Sequence, residues 1–200
     1  MNTKAETTKE RLLWIGLDAL SAEGLSGLTL GRLAGAADMS KSGLFAHFRS
    51  KEQLQIDLLD EMARTANRYV VAPAMAAPAG LPRLRALVEA WLGWSTRAGL
   101  RGGCPIAAAL FELDDLEGEV RAHVVRLEGR WRGLLAELTR QAAALGDFRA
   151  DLDIDQFVWE LCGVYLSHHA SRRFLRDPAA DDRAKSAFAA LIQRASPPGV

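Results

Sequence analysis

Apolar residues recur every three or four positions along most of this chain, the spacing of one face of an α-helix. The longest such stripe runs from Val120 to Ala142. No segment shows the strict alternation of apolar and polar residues that indicates a half-buried β-strand. The pattern therefore predicts an all-α fold of about nine helices, without internal repeats.

Capping signals mark the ends of several predicted helices. Thr7 followed by Glu10 forms a capping box before the first helix. Ser50 followed by Gln53 forms another before a long helix that we expect to end near residue 70. Gly24 is a natural stop for the first helix, because glycine readily adopts the left-handed conformation that ends helices.

The chain divides into a small head and a larger body. We assign residues 1–52 to the head, which we expect to contain three helices, and residues 53–196 to the body. The stretch 72–82 is rich in Pro, Ala and Gly, which is typical of a connection rather than a helix. We therefore expect this stretch to join the two parts.

The head contains two short predicted helices separated by about three residues, which is the geometry of a helix-turn-helix. The second spans about residues 40–47, where Leu44 and Phe48 lie four positions apart and form an inward face. A helix of this length is about 10 Å long, close to the roughly 12 Å width of the DNA major groove. This spacing indicates that the second helix enters the groove.

Charge is balanced overall but not locally. The chain has 25 basic and 25 acidic residues, which by itself argues against general adhesion to nucleic acid. Residues 29–51 contain four basic residues and one acidic residue, a local net charge of +3. Such a patch on a neutral protein suits specific docking on phosphate, although most charge clusters are ordinary solvated surface.

A run of residues through the head resembles the DNA-binding domain of the tetracycline-repressor (TetR) family. The similarity extends back through Arg11, Ala19, Gly24 and Thr29. Its densest part reads Leu33-Ala34-x-x-Ala37-Asp38-Met39-Ser40-Lys41-Ser42-Gly43-Leu44-Phe45-x-His47-Phe48-x-Ser50-Lys51-Glu52-x-Leu54. Asp38 stands where the family usually has glycine, but aspartate tolerates positive φ better than most residues.

The resemblance implies a set of DNA contacts in the head. The expected DNA-binding residues are Thr29, Arg32, Lys41, Ser42, Gly43, Phe45, His47 and Lys51. Thr29, Arg32, His47 and Lys51 match backbone-contacting positions, and Lys41 is the best candidate for a guanine contact because Gly43 has no side chain. Phe45 matches a position usually held by tyrosine, so its contact is apolar, for example with a thymine methyl group. Simple packing is the alternative for Phe45 and His47.

The resemblance also implies a ligand cavity in the body. Aromatic residues are concentrated there, and aromatic walls are typical of small-molecule pockets. The candidate ligand-binding residues are Trp91, Trp94, Phe111, Trp131 and Tyr165, with Trp159 a further aromatic and Ser95, Glu112, His123 and His168 possible polar partners. For any single aromatic residue, an ordinary core position is an equally good interpretation. The identity of the effector does not follow from these residues.

Dimerisation through the last two long helices is a further implication of the resemblance. The candidate seam on the last helix consists of Ala184, Ala187, Phe188, Leu191 and Ile192. A two-fold symmetric dimer predicts a pseudo-palindromic operator in double-stranded DNA, with half-sites roughly 34 Å apart.

Other classes of site are weakly signalled. Adjacent residues on a helix point about 100° apart, so His168 and His169 cannot face one metal or one catalytic centre. Cys104 and Cys162 form no disulfide or zinc pattern, and we expect no catalytic residues, metal or cofactor. We find neither a signal peptide nor a membrane-spanning run, and expect a cytoplasmic protein with no membrane partner.

The resulting hypothesis is a dimeric repressor that binds its operator and is released by a small-molecule effector. Activation of transcription, or DNA binding without any effector, are the alternatives within the same class. An enzyme on an all-α scaffold is a third interpretation, against which stands the lack of a nucleophile–base pair or phosphate loop.

Overall fold

A computed structural model describes residues 7–198, which form helices joined by short connections, with no β-strand in that range. The helices are α1 (Thr8–Gly27), α2 (Leu30–Ala36), α3 (Lys41–Phe45), α4 (Lys51–Ala66), α5 (Ala72–Met75), α6 (Leu81–Trp91), α7 (Trp94–Arg97), α8 (Pro105–Glu112), α9 (Glu119–Ala144), α10 (Ile154–Ala170) and α11 (Ala180–Ala195). The all-α prediction is confirmed. The sequence pattern predicted neither the single turn α7 nor the short helix α5.

The helix that begins at Lys51 continues beyond its predicted end. It passes through a π-helical turn, Asn67–Val71, directly into α5. Within this turn the N–H of Ala72 donates to the carbonyl of Asn67, five residues earlier. Pro73 comes next and has no N–H to donate, and a π-helical turn beside it lets the helix continue. The expectation that 72–82 is a connection was therefore wrong at both ends, and only 76–80 lies between helices.

The chain forms two compact units, each made from two sections of sequence. The first contains the described part of Met1–Thr65 together with Ser95–Arg126. The second contains Ala66–Trp94 together with the described part of Leu127–Val200. The expected functional division between residues 52 and 53 stays a prediction, because compactness does not say which residues bind DNA or ligand.

The core of the first unit is built on α1. Leu12 and Leu17 of α1 and Leu58 of α4 are fully buried. Gly16 permits close approach of these helices, since a Cβ atom there would lie 2.7 Å from Leu58 Cδ2. The N-terminus of α1 has the predicted capping box, in which Thr7 N–H donates to Glu10 and Glu10 N–H donates to Thr7 Oγ1. These contacts fix α1 as the support for the shorter helices after it.

The core of the second unit lies among α6, α9, α10 and α11. Helix α10 packs on α11 through buried apolar residues, including Phe157, Leu161, Phe188 and Leu191. At the start of α6, Asp147 accepts a hydrogen bond from Leu81 N–H at 2.7 Å and so satisfies one of the amides exposed at a helix N-terminus. Within the described residues, no helix is both long and apolar enough to cross a membrane.

Candidate nucleic-acid interface

The turn between α2 and α3 has the conformation expected from its sequence. Thr29 caps α2 by accepting a hydrogen bond from Arg32 N–H at 3.2 Å. After α2, Asp38 adopts a left-handed conformation with φ of 53°, and Met39 N–H donates to the carbonyl of Ala34 at 2.9 Å. Asp38 therefore performs the role for which glycine is the usual residue.

Helix α3 presents one face to solvent and one to the core. Ser40 caps it by accepting from Gly43 N–H at 3.1 Å. Leu44 within the helix and Phe48 just after it are almost completely buried, which confirms the predicted inward face. Lys41 and Ser42 are exposed. Five residues span about 7.5 Å and cannot form a stable helix alone, so this packing keeps α3 in place.

The basic residues of this region are available to a partner, with one exception. Lys41, Arg49 and Lys51 are exposed, and none forms an ion pair with a carboxylate among residues 7–198. Arg32 instead pairs with Glu23, with Nη1 and Oε2 2.8 Å apart. The surface around α3 can therefore attract phosphate without first breaking ion pairs, except at Arg32.

The eight predicted DNA-contact residues occupy one short part of the first unit, from the cap of α2 to the first residue of α4. Gly43 and His47 are half-buried. The side chain of Phe45 lies outside the described part of the structure, so its expected apolar contact is untested. No nucleic acid is present, and the DNA-binding role of all eight residues stays a prediction.

The loop before α8 is attached to α1 by polar contacts that we did not predict from the sequence. Asp18 accepts from the backbone N–H of Arg101 at 2.8 Å and from its Nε at 2.6 Å. Ser21 accepts from Gly102 N–H at its Oγ and from Gly103 N–H at its carbonyl. Gly102 allows the loop to lie directly on α1, because a Cβ atom there would overlap the carbonyl of Ser21.

Helix α8 ends in a second attachment to α1. The carboxylate of Glu112 accepts from the backbone N–H groups of Leu25 and Ser26, at 3.2 and 3.0 Å, and from Ser26 Oγ at 2.9 Å. Glu112 was predicted as a possible ligand contact, but within this unit its oxygens are occupied by α1. No local sequence signal links residues so far apart.

Helices α4 and α9 are joined by a histidine. His123 is buried, and its Nε2 lies 2.9 Å from Asp60 Oδ1. Arg126 approaches the other ring nitrogen of His123 at 3.3 Å. This candidate ligand contact therefore already has protein partners on both sides of its ring.

Four of the five candidate ligand-binding aromatic residues form one cluster in the second unit. Trp91 stacks on Tyr165 with ring centroids 3.9 Å apart, and Trp131 meets Trp91 edge-on at 4.7 Å. Trp94 Nε1 donates to the Tyr165 hydroxyl at 3.2 Å. Trp131 Nε1 is buried and has no acceptor among the described residues. A buried N–H without an acceptor is costly.

Two other aromatic candidates do not fit an enclosed pocket. Phe111 lies on α8 in the first unit and is 66% exposed, and Trp159 on α10 is 64% exposed. The expectation that Phe111 lines a pocket is therefore not supported by its position. Helical spacing makes buried and exposed aromatic residues look alike, because a large aromatic residue can belong either to a core stripe or to an outer face.

His168 is likewise occupied within the second unit. Its Nε2 lies 2.7 Å from Asp181 Oδ1, and Arg172 donates to both oxygens of the same carboxylate. These hydrogen bonds hold the pKa of Asp181 below its usual value, and the bond with His168 has a larger effect than the one with Arg172. The neighbouring His169 has a lowered pKa, chiefly because burial disfavours its charged form.

The predicted dimer seam on α11 must be corrected. Ala184, Phe188, Leu191 and Ile192 are buried within the chain itself, so they face the core rather than a second copy. Ala187 is exposed, as are Ala190 of the same helix and Trp159 and Gly163 of α10. The exposed residues of this helix pair thus include several small residues and one large aromatic residue, besides charged ones such as Arg183 and Lys185.

Residues 7–198 contain no cluster of side chains that could bind a metal ion. No three His, Cys, Asp or Glu side chains in that range lie close enough together to hold an ion. Cys104 and Cys162 are both buried and form no disulfide with each other. Burial raises the pKa of the Cys162 thiol to about 11, which disfavours the reactive thiolate.

Comparison with known proteins adds family relationships to this geometry. Residues 16–58 match the family model of bacterial regulatory proteins of the tetR family. Residues 80–188 match the model of the tetracyclin repressor-like C-terminal domain. The chain is also 26% identical over 155 residues to the transcriptional regulator AcuR of Cereibacter sphaeroides, covering 76% of this chain and 69% of AcuR.

Solved structures share the fold across nearly the whole chain. A TetR transcriptional regulator from Chloroflexus aurantiacus J-10-FL superposes with a TM-score of 0.81 at 23% identity, over 93% of this chain and 92% of its own. AibR, solved in complex with isovaleryl coenzyme A and operator DNA, superposes with a TM-score of 0.72 at 22% identity, over 96% and 100% of the two chains. At such low identities these two likenesses establish the fold alone.

Proposed function

Since this chain belongs to the TetR family of transcriptional regulators and has the DNA-binding N-terminal domain of that family, we propose that it is a ligand-responsive repressor. In this proposal a homodimer binds a pseudo-palindromic operator and is released when a small molecule binds the body. Such a regulator acts on chromosomal DNA, so the proposal places it in the cytoplasm.

The proposed DNA recognition is carried by one observation, the exposure of Lys41 and Ser42 on a short helix whose other face is buried. A helix of about 7.5 Å fits the roughly 12 Å major groove. Lys41 would donate to a guanine, as lysine commonly does. Exposed Lys51 would contact a phosphate and so contribute affinity rather than sequence selectivity.

Arg32 would change partner on binding. Its guanidinium pairs with Glu23 in the free protein, and both side chains are partly exposed, so the pair contributes little stability. A DNA phosphate can therefore replace the Glu23 carboxylate as the partner of Arg32, or share the guanidinium with it, at small cost. Thr29 keeps its hydroxyl proton available for a phosphate, since its oxygen serves only as acceptor in the cap.

We propose the outward face of α10 and α11 as the dimer interface. It centres on Trp159, whose exposure is unusual for tryptophan. Gly163, Ala187 and Ala190 of the same two helices are also exposed, and such small residues permit close approach between helices. A two-fold axis through this face pairs each helix with its own copy and gives a four-helix contact.

We propose the aromatic cluster around Trp91 as the wall of the effector site. The unpartnered Trp131 Nε1 favours an effector that presents a carbonyl or carboxylate oxygen beside an apolar group. AibR combines a bound acyl-coenzyme A with operator DNA in the same fold, which supports a ligand and DNA acting through one such chain. It does not identify the effector of this protein.

The DNA-binding proposal is tested by selecting duplexes from a random-sequence library with the full-length protein. We expect Lys41→Ala to weaken binding to the selected duplex by about 1–3 kcal/mol and to relax its specificity. Lys51→Ala should weaken selected and scrambled duplexes alike and reduce the salt dependence by about one ion. Arg85→Ala, which removes an exposed charge from α6, is the control. Unchanged affinity in both lysine variants would refute the assignment.

The dimer and effector proposals have separate tests. Trp159→Glu should convert a dimer into monomers in analytical ultracentrifugation, while Leu145→Glu, at a site of similar exposure, should not.

For the effector, a panel of small carboxylic acids and acyl thioesters is screened for compounds that raise the melting temperature. A compound that also releases DNA, and whose effect is lost in Trp131→Phe, supports a repressor. A compound that strengthens DNA binding favours the activator alternative.

A further inference from the structure

We propose that Glu112 is a positioning residue for DNA binding, because its carboxylate fixes the point from which the DNA-contacting helices emerge. The inference rests on the proposed DNA recognition and adds a residue from α8, far outside the helix-turn-helix sequence. The carboxylate of Glu112 would thereby determine where Thr29 and Arg32 lie.

Helix α1 is broken near its C-terminal end. Gly24 has φ of 73° and non-helical geometry, so the helical turn after it starts anew. Backbone N–H groups at the start of a helical turn have no acceptor within the helix. Glu112 supplies one to Leu25 and Ser26, and it also accepts from Ser26 Oγ. The carboxylate thus serves as an N-terminal cap that comes from another helix.

Gly24 is required here for two reasons. Its positive φ is strained for any residue with a side chain. A Cβ atom at this position would also overlap the carboxylate of Glu112. On the opposite side of the restarted turn, buried Gln55 of α4 donates from Nε2 to the carbonyl of Leu25 at 3.1 Å. The turn is therefore held between α8 and α4.

This turn leads directly to the predicted phosphate contacts. Leu28 is buried next to it, and Thr29, the cap of α2, comes immediately afterwards. Arg32 pairs with Glu23 on the near side of the break and approaches the Gly27 carbonyl on the far side at 3.5 Å. A shift at the break would therefore move the Thr29 hydroxyl and the Arg32 guanidinium together.

The contacts of Glu112 with α1 differ in position from those that the loop before α8 makes with α1. The contacts of Arg101–Gly103 reach Asp18 and Ser21, which precede the break. Those contacts hold the main part of α1 and do not constrain the residues after Gly24. Glu112 binds after the break, so its loss leaves α1 anchored but removes the attachment to α8 of the turn that leads to α2, which is then held by Gln55 and its buried leucines alone. That difference separates a positioning role from general support of the fold.

The test uses the full-length protein and the duplex that it selects from a random-sequence library, with a scrambled duplex for comparison. Because Thr29 and Arg32 are predicted phosphate contacts, we expect Glu112→Ala to bind the selected and the scrambled duplex about tenfold more weakly, the size expected for the loss of charged hydrogen bonds. Ser26→Ala removes one donor at an exposed site and should cost about threefold. Glu117→Ala is the control, because Glu117 is nearby in sequence and highly exposed.

Hydrogen exchange gives an independent readout. In Glu112→Ala, the amides of Leu25 and Ser26 should exchange faster while those of Leu12 and Leu17 stay protected. Wild-type affinity and wild-type exchange in this variant would overturn the inference, as would a loss of binding accompanied by global loss of protection. If the wild-type protein enriches no duplex, the proposed DNA recognition itself fails. If enrichment succeeds and Glu112→Ala is neutral, only this inference fails.

Discussion

In the first compact unit, most of the predicted DNA-contacting residues whose side chains are described are exposed, and hydrogen bonds cap the helices that carry them. In the second unit, Trp91, Trp94 and Tyr165 are buried against one another. Thr29 and Ser40 cap the two helices of the first region. Trp91, Trp131 and Tyr165 contact ring to ring in the second. In the first region directional cap bonds supplement the packing of Leu44 and Phe48, while in the second region the contacts are chiefly between apolar rings.

This difference has an energetic consequence. A hydrogen bond at a helix end typically contributes about 1 kcal/mol, so single changes in the first unit should alter geometry and DNA affinity more than global stability. Burial of a large aromatic side chain contributes several times as much. Changes in the aromatic cluster should therefore act first on folding.

The largest expected effect is that of Trp91→Ala. This substitution removes a buried ring that contacts both Tyr165 and Trp131 and should lower the free energy of unfolding by about 3–5 kcal/mol. Chemical denaturation followed by circular dichroism measures it. The matched change in the first unit, Ser40→Ala, should cost only about 1 kcal/mol. Similar losses in the two variants would remove the proposed contrast.

Thiol reactivity tests the packing of the second unit without perturbing it. Because burial raises the pKa of Cys162 to about 11 from an ordinary value of 9.0, its thiolate fraction at pH 8 should be about a hundredfold lower than in the unfolded chain. In a Cys104→Ala background, alkylation of the native protein should be at least that much slower than in denaturant. Rapid native labelling would show that this packing is loose.

Within the first unit, Gly102→Ala should be the most harmful small substitution. An added Cβ atom would overlap the backbone carbonyl of Ser21, which cannot move aside as a flexible side chain can. We expect a loss of about 1–3 kcal/mol in the free energy of unfolding. The matched control is Gly129→Ala in α9, where the Cβ atom meets nothing and alanine should stabilise the helix by about 1 kcal/mol. Equal effects on stability would contradict the close approach of the loop to α1.

The sequence was most informative where structure depends on neighbouring residues. The caps at Thr7 and Ser50 were predicted from a spacing of three residues, and each cap bond is present. The reciprocal bond expected at Ser50 is not, because the Gln53 side chain donates to Asp57. The left-handed Asp38 and the buried face of Leu44 were predicted for the same local reasons. Family membership, inferred from the motif in the head, is confirmed.

Contacts between distant residues could not be predicted. Glu112 reaches α1 across more than eighty positions, and nothing in its local sequence distinguishes it from a pocket residue. Phe111 and Trp131 fit helical spacing equally well, yet one is exposed and the other joins the aromatic cluster. The predicted dimer seam on α11 was wrong for a similar reason, because periodicity identifies an apolar face but not which partner covers it.

The smallest expected effect concerns the pH dependence of the second unit. Burial lowers the pKa of His169, with Arg173 and His168 adding charge repulsion. The unfolded chain then binds more protons than the folded chain at pH values between the lowered pKa and about 6.5. The free energy of unfolding should therefore fall as the pH decreases through this window. His169→Gln should flatten that dependence when denaturation is compared at pH 7.5 and 5.5, whereas the contribution of Asp181, whose pKa is also lowered, is lost only in more acidic solution. An unchanged slope in the variant would mean that His169 is accessible to water, and that the second unit is packed less tightly around α10 than its aromatic cluster indicates.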